Sequence, residues 1–315
     1  MAVCLVTGGA GFIGSHLVER LVEQGHHVRL LDNLSTGRLA NLEGVLGSIE
    51  FVAGDVCDED LVRDLMHSVE YVFHQAALAS VPLSVERPLE THSVCTTGTL
   101  VILDAARRAG VRRVIYASSS AVYGDQPTAA KRESDLPAPI SPYGAAKLAG
   151  EIFCRAFFAT YGMETVCLRY FNVFGPRQDP ESPYAAVIPR FVSAIVRGAS
   201  PVVYGDGHQS RDFVYVEDVV RANLLAMSAS GVAGRVFNIA TGRAVSLLEL
   251  LQVLEDIFGF PVRPRFDPPR PGDIRQSMAD ITQAEQVLGY RPQVSLAEGL
   301  RRAIGYYRQL AGAGT

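Results

Sequence analysis

Across the first 170 residues, six short apolar runs alternate with stretches of helical periodicity, and that alternation restricts the fold more than any other feature of the chain. The runs are AVCLVT (2–7), HVRLLD (27–32), IEFVAGD (49–55), YVFHQAA (71–77), RRVIYASSS (112–120) and ETVCLRY (164–170). Their length and their Val and Ile content mark buried strands. Between them lie helical patterns. One runs from Ser15 to Gln24, where Leu17, Val18, Leu21 and Val22 recur at helical spacing before Gly25. Others fall near 58–67, across 91–109, and from Pro142 to Tyr161. Strands alternating with helices predict an α/β fold: a doubly wound parallel sheet with helices on both faces.

After residue 170 the texture changes. GPRQDPESP (175–183) and PVRPRFDPPRPGD (261–273) read as Pro-rich loops. Helices are expected near 185–198, 216–228 and 246–258, with strands at PVVY (201–204) and RVFNIA (235–240). The expected division is a first domain over 1–170, rejoined by parts of 213–245, and a smaller α/β lobe over 171–315.

Composition excludes several function classes. A net charge of −4 leaves no basic footprint for nucleic acid. No apolar run reaches the ~20 residues needed to cross a bilayer. Five cysteines without a CxxC or paired spacing fit reduced thiols in the cytoplasm. The seven histidines show no metal-ligand spacing, so no metal site is expected.

TGGAGFIG (7–14) sets Gly8, Gly11 and Gly14, with Phe12 and Ile13 among them, between the first strand and the first helix. A backbone that approaches a pyrophosphate closely needs residues without Cβ, and a helix N-terminus supplies donors. Asp32 closes the second strand, where a carboxylate suits a ribose 2′-hydroxyl and repels a 2′-phosphate. NAD is therefore expected rather than NADP, with Arg38 nearby as a feature that blurs the preference. Asp55 and Val56, and Gln75, Ala76 and Ala77, end the next two strands and would line the same crevice.

SPYGAAK (141–147) places Tyr143 and Lys147 one turn apart on a helix that Ser141 caps and Pro142 begins. A wet helix face explains the spacing, and so does a tyrosine base tuned by an ammonium. Usage favours the second. Of 29 basic residues only Lys131 and Lys147 are lysine, in a chain that otherwise writes arginine. A tyrosine titrates near ~10, so a base at neutral pH needs its anion stabilised by ~4 kcal/mol. A serine across the crevice can hydrogen-bond the substrate oxygen. Ser118, Ser119 and Ser120 all stand at the end of the fifth strand, and their residue type does not separate them.

TGGAGFIG, LLDNLSTG, GDV, HQAA, ASSSAVYG, SPYGAAK and YFNVFGPRQDP, in this order, cover nearly the whole chain and resemble the extended short-chain dehydrogenases/reductases. More narrowly, they resemble the UDP-glucose and UDP-N-acetylglucosamine 4-epimerases. The resemblance implies a Rossmann sheet, tightly held NAD, a UDP-sugar substrate and a homodimer packed through the helices near 91–109 and 142–161. It implies Ser119, Tyr143 and Lys147 as the catalytic set, with Ser120 as runner-up for the serine. It adds Asn33, Ser35, Thr36, Gly37 and Phe171 to the cofactor contacts. On the substrate side it implies Ser80, Asn172, Val187, Tyr204, Arg211, Arg270, Asp273 and Ser277. Small side chains at Ser80 and Ser277 lean toward an N-acetylated sugar. One departure is Cys95, three residues before Gly98, where the family usually has Asn; no cofactor contact is carried over to it.

Three other readings share the scaffold. A nucleotide-sugar 4,6-dehydratase or decarboxylase needs acid and base groups that Ser120 and Ala121, following Ser119, do not provide. A non-catalytic NAD-binding protein would have no use for the Ser, Tyr and Lys set. A reductase consuming NADPH conflicts with Asp32.

Overall fold

The structure is a computed structural model that describes residues 1–128, 130–182, 185–269 and 274–312. Strands β1 (Val3–Thr7), β2 (His27–Asp32), β3 (Ile49–Ala53), β4 (Tyr71–His74), β5 (Arg113–Ser119) and β6 (Glu164–Tyr170) alternate with helices. The helices are α1 (Phe12–Glu23), α2 (Glu59–Leu65), α3 (Val81–Glu86), α4 (Pro88–His92), α5 (Gly98–Ala109) and α6 (Pro142–Tyr161). Beyond β6 come β7 (Asn172–Phe174), α7 (Val187–Val196), β8 (Val202–Tyr204), β9 (Ser210–Tyr215) and α8 (Val216–Ser228). The chain then returns to the main sheet as β10 (Arg235–Ile239). That sheet is parallel throughout, with strand order β10-β6-β5-β4-β1-β2-β3. The order reverses beside β1, which leaves a crevice past the carboxyl ends of β1 and β4, the position where open α/β sheets bind ligands.

Alternating residues of each strand feed the two faces. Val6, Leu30, Phe73, Ile115 and Leu168 pack with Leu17 and Leu21 of α1 and Val219 of α8. Leu5, Leu31, Val72, Val114 and Tyr116 pack on the other face with Val62 of α2, Ile102 of α5 and Phe157 of α6. Burial on both faces is why these strands read as continuous apolar runs.

A third core belongs to the remaining elements: β11 (Ala244–Ser246), α9 (Leu247–Phe258), β12 (Arg265–Asp267), β13 (Gln276–Ser277) and α10 (Leu296–Gly312). Phe174, Phe191, Phe213, Leu250, Leu254, Leu300 and Ile304 meet there. Strand β9 is the spine of this part, paired with β7 and β13 in parallel and with β11 antiparallel.

Three expectations are corrected. Helix α1 begins at Phe12 rather than Ser15, because Gly11 caps it and its first turn grows directly from the glycine loop. The helix expected across 91–109 starts at Pro88 and is interrupted by a π turn over Ser93–Thr97. Residues 265–267, expected as part of a Pro-rich loop, form β12 because they pair in register with β8. Among the described residues, no helix is long and apolar enough to cross a membrane.

Candidate active site

The glycines divide their work. Gly8 sits at φ 68°, and a Cβ there would lie 2.7 Å from Ala76 N. A Cβ on Gly14 would lie 2.2 Å from Gly8 O, so Gly8 and Gly14 let the loop, β4 and α1 close on one another. A Cβ on Gly11 meets only Gly8 O, at 3.2 Å. Gly11 caps α1 without a side-chain cap, which leaves the first-turn N–H groups of the helix directed at the crevice.

The walls are pinned by hydrogen bonds that run across β1 and β4. Ala76 N donates to Thr7 Oγ1 at 3.2 Å, Thr7 Oγ1 meets His74 Nδ1 at 2.7 Å, and His74 Nε2 meets Thr99 Oγ1 at 3.0 Å. The Thr99 hydroxyl donates to Cys95 O at 2.7 Å, so its oxygen is the acceptor for an Nε2–H. The donors therefore follow one direction, with His74 neutral and Thr7 donating to Nδ1. Burial and the nearby Lys147 pull His74 down to about 3.

Asp32 is buried, with Oδ2 accepting from Ala10 N at 2.9 Å and Oδ1 from Leu34 N at 2.8 Å. Gly37 stands against it: a Cβ there would lie 2.9 Å from both carboxylate oxygens. Asn33 donates to Asp55 Oδ2 at 2.9 Å and takes Ser35 N on its own oxygen. Burial acts to raise the Asp55 carboxyl, but donation from Cys57 N and Asn33 outweighs it and holds the group below its usual value.

These groups enclose a cleft of about 580 Å³. Of the residues expected to hold a cofactor, Gly8, Gly11, Phe12, Ile13, Gly14, Asp32, Asn33, Ser35, Thr36, Asp55, Val56, Gln75, Ala76, Ala77, Tyr143 and Lys147 line it. Gly37 is set behind Asp32. Phe171 is not on the lining; its ring is buried 6.2 Å from the ring of Tyr123. A glycine-floored cleft with helix N–H donors and a pre-oriented carboxylate fits a dinucleotide such as NAD. Sequence reading missed Tyr170, the 177–180 loop and Tyr306 of α10, which also line the cleft. Tyr306 was missed together with the helix that carries it.

Helix α6 delivers the tyrosine and lysine. Ser141 Oγ accepts from Gly144 N at 3.1 Å, and Gly162 ends the helix at φ 69°. Lys147 is only 2% exposed, which removes the wet-face explanation. Its Nζ donates to Ala117 O at 2.8 Å and lies 5.9 Å from the centre of the Tyr143 ring. Burial pulls the ammonium down, opposed by Cys95, Cys154 and Glu151. Burial also pushes the Tyr143 hydroxyl up, together with Cys95, while a hydrogen bond from Ser119 acts to lower it.

The three serines separate by the direction of β5. Ser118 is the one of the three on the cleft lining, but its hydroxyl donates to the buried Glu151, which Arg169 holds through two contacts at 2.9 and 2.7 Å. Ser119 faces Tyr143, and its oxygen also accepts from Ala121 N at 3.2 Å. Ser120 begins the 3-10 turn that follows, Ser120–Tyr123. Cys95 lies in the π turn, fully buried beside Leu78, Ala146 and Tyr143.

Apart from Tyr143, the described residues expected on the substrate side stand outside the lining of this cleft. Arg211 on β9 and Ser277 on β13 are register partners, and Asn172 on β7 is paired with Phe213 two residues along β9. The guanidinium of Arg190 lies 5.4 Å above the ring of Tyr204. Val187 opens α7. Ser80 caps α3, accepting from Leu83 N at 3.2 Å. Arg270 and Asp273 lie outside the described residues.

The model of the NAD dependent epimerase/dehydratase family matches residues 4–240. The chain is similar to the UDP-glucose 4-epimerase of Mycolicibacterium smegmatis, 43% identical over 309 residues, 96% of this chain and 98% of that one. It is similar to the crystal structure of UDP-glucose 4-epimerase with UDP-glucose from Thermotoga maritima, at 42% identity and a TM-score of 0.94, covering 98% and 99% of the two chains. It is also similar to UDP-N-acetylglucosamine 4-epimerase from Methanobrevibacter ruminantium in complex with UDP-N-acetylmuramic acid, at 40% identity, a TM-score of 0.94 and the same coverage.

Proposed function

The chain belongs to the NAD dependent epimerase/dehydratase family, and on that premise we propose that it is an NAD-dependent isomerase that inverts C4 of a UDP-hexose through a transient 4-keto sugar. NAD, when bound, supplies a reversible hydride acceptor. The remaining work falls to the chain's own side chains. Tyr143 takes the proton of the C4 hydroxyl and later returns it, and Ser119 hydrogen-bonds the same oxygen. Lys147 holds a positive charge below the tyrosine. The observation that carries this reading is the pair of Tyr143 and the buried Lys147, one turn apart on α6 and both on the lining of the dinucleotide cleft, with Ser119 at the end of β5 beside the tyrosine.

For the sugar, we favour UDP-GlcNAc and UDP-GalNAc, with UDP-Glc and UDP-Gal also accepted. Small side chains at Ser80 and Ser277 support room for an N-acetyl group. Arg211, in register beside Ser277, is suited to a diphosphate through its planar fork of donors. Elimination or decarboxylation is disfavoured because Ser120 and Ala121 follow Ser119 and bring no further acid or base. The exposed apolar side chains of Val85, Leu89, Ile152 and Tyr161 on and beside α3, α4 and α6 support a homodimer through these helices, which sedimentation at micromolar concentration tests. Five unpaired thiols support a cytoplasmic location.

The test is to incubate the purified protein, without added cofactor, with UDP-GlcNAc and UDP-Glc separately and follow the C4 epimers by proton NMR. Both should convert. Conversion of UDP-Glc alone rejects the N-acetyl assignment, and no conversion of either, even with NAD added, rejects the epimerase reading for these sugars.

A further inference from the structure

The end of the cleft nearest Asp32 is bridged by charges from two loops. Arg38 follows β2, Asp179 follows β7, and both line the cleft. Arg38 Nη2 lies 2.8 Å from Asp179 Oδ2. Each residue is anchored through its own backbone or second oxygen. Arg38 N donates to Ala10 O at 2.9 Å, and Asp179 Oδ1 accepts from Glu181 N at 2.9 Å. Because Gly37 rests against the Asp32 carboxylate, Arg38 rises from the same wall as the group that faces a ribose 2′-hydroxyl. The second arginine on the lining, Arg177, is held by Glu19 at 2.6 Å and donates to Ser15 Oγ at 3.3 Å. Among the described residues, both guanidiniums that line the cleft are thus paired with carboxylates.

A dinucleotide carrying a 2′-phosphate brings its extra negative charge beside Asp32, and a guanidinium is the group that accommodates it. Arg38 is the one placed to do so. We propose that Asp179 is a specificity-determining residue for the cofactor: by holding Arg38 across the mouth of the cleft, it withholds that guanidinium from a 2′-phosphate. NAD is then selected by two carboxylates, Asp32 by repelling the phosphate and Asp179 by occupying its counter-ion. This rests on the assignment of the cleft to NAD.

Both members of the pair are exposed, at 62% and 39%, so replacing either leaves the fold intact. Calorimetric titration of nucleotide-stripped protein with NAD⁺ and with NADP⁺ separately tests the inference on four proteins: wild type, Asp179→Asn, Arg38→Ala and the double variant. Asp179→Asn should tighten NADP⁺ by about fivefold, the scale on which an exposed ion pair is worth breaking, while NAD⁺ affinity holds within about twofold. The gain should vanish in the double variant. An unchanged NADP⁺ to NAD⁺ ratio in Asp179→Asn overturns the inference, and so does a gain that survives removal of Arg38, because Asp179 would then act by its own charge. Wild-type protein that binds neither dinucleotide overturns the cofactor assignment itself, and this inference with it.

Discussion

Thr7 and His74, register partners on adjacent parallel strands, are joined by a 2.7 Å hydrogen bond in which the threonine hydroxyl donates to Nδ1. The bond sets the histidine tautomer and ties the end of β1, where the glycine loop departs, to the end of β4, where the opposite wall of the cleft begins. A second proton on His74 has no acceptor in this arrangement without reversing the Thr7 hydroxyl.

Stability should therefore fall in mild acid. His74 is pulled from its ordinary 6.5 to about 3 in the folded chain, so below pH 6.5 the unfolded chain binds the proton and the folded chain does not. The stabilisation is complete above 6.5 and drains away down to about pH 3, at up to ~1.4 kcal/mol per pH unit. His16, pulled down to about 4 by burial and Arg177, adds to the same slope. Urea melts between pH 7 and 4 check this, and His74→Gln should remove one proton's share of the slope. A wild-type stability flat over that range contradicts it.

Replacement of Tyr143 by Phe should lower kcat by about 10²–10⁴-fold, the range for loss of a positioned acid–base group. Lys147→Arg should do comparable damage despite keeping the charge, since Nζ donates to a single carbonyl at 2.8 Å, and a bulkier planar fork does not reproduce a compact ammonium there. Epimer formation by NMR measures the loss, and retention of most activity by the arginine variant argues against a dedicated ammonium.

The serines should part company under mutation. Ser119→Ala should lower kcat with little change in melting temperature. Ser118→Ala should keep the reaction but cost about 1.5–3 kcal/mol, because the Glu151 carboxylate loses a donor inside the protein. Thermal melts and kcat measured on the same preparations decide the matter, and the reverse pattern would make Ser118 the reacting serine.

The glycine loop offers a similar contrast. Gly14→Ala drives a Cβ to 2.2 Å from a backbone oxygen and should destabilise the fold by about 1–3 kcal/mol or more. Gly11→Ala meets only one atom, at 3.2 Å, and should fold normally while binding NAD about tenfold more weakly, an overpacking penalty of ~1.4 kcal/mol at the ligand. Chemical denaturation and NAD titration of both variants separate the two effects.

Much of the main sheet was legible because its strands are buried on both faces and so read as continuous apolar runs. The bounds of β2, α6, β6 and α8 coincide with the sequence reading. Strand β9 was missed because Asp212 sits in its middle, fully buried, with Thr241, Gly242 and Ala279 donating to it. A satisfied buried carboxylate looks like a loop residue until its donors are known. Helix α10 was missed although Leu300, Ala303, Ile304 and Tyr307 recur at helical spacing and are buried, because charged residues crowd the rest of its surface.

At the site, Tyr143 and Lys147 were legible from spacing and from residue choice against the habit of the chain. The serines were not, since facing along a strand end depends on where the strand starts to turn. Arg38 and Asp179 stand 141 positions apart, and the Thr7–His74–Thr99 relay joins three separate elements. Neither arrangement has any local trace.

Both lysines are only 2% exposed. The folded surface thus offers acylating reagents no lysine amine, and its positive charge is carried by guanidinium groups that neither acetylation nor mild alkali can discharge. Lysine modification in this protein becomes a clock for opening: each acylated side chain records a moment when the Tyr143 helix, or the loop that holds Lys131, let solvent in.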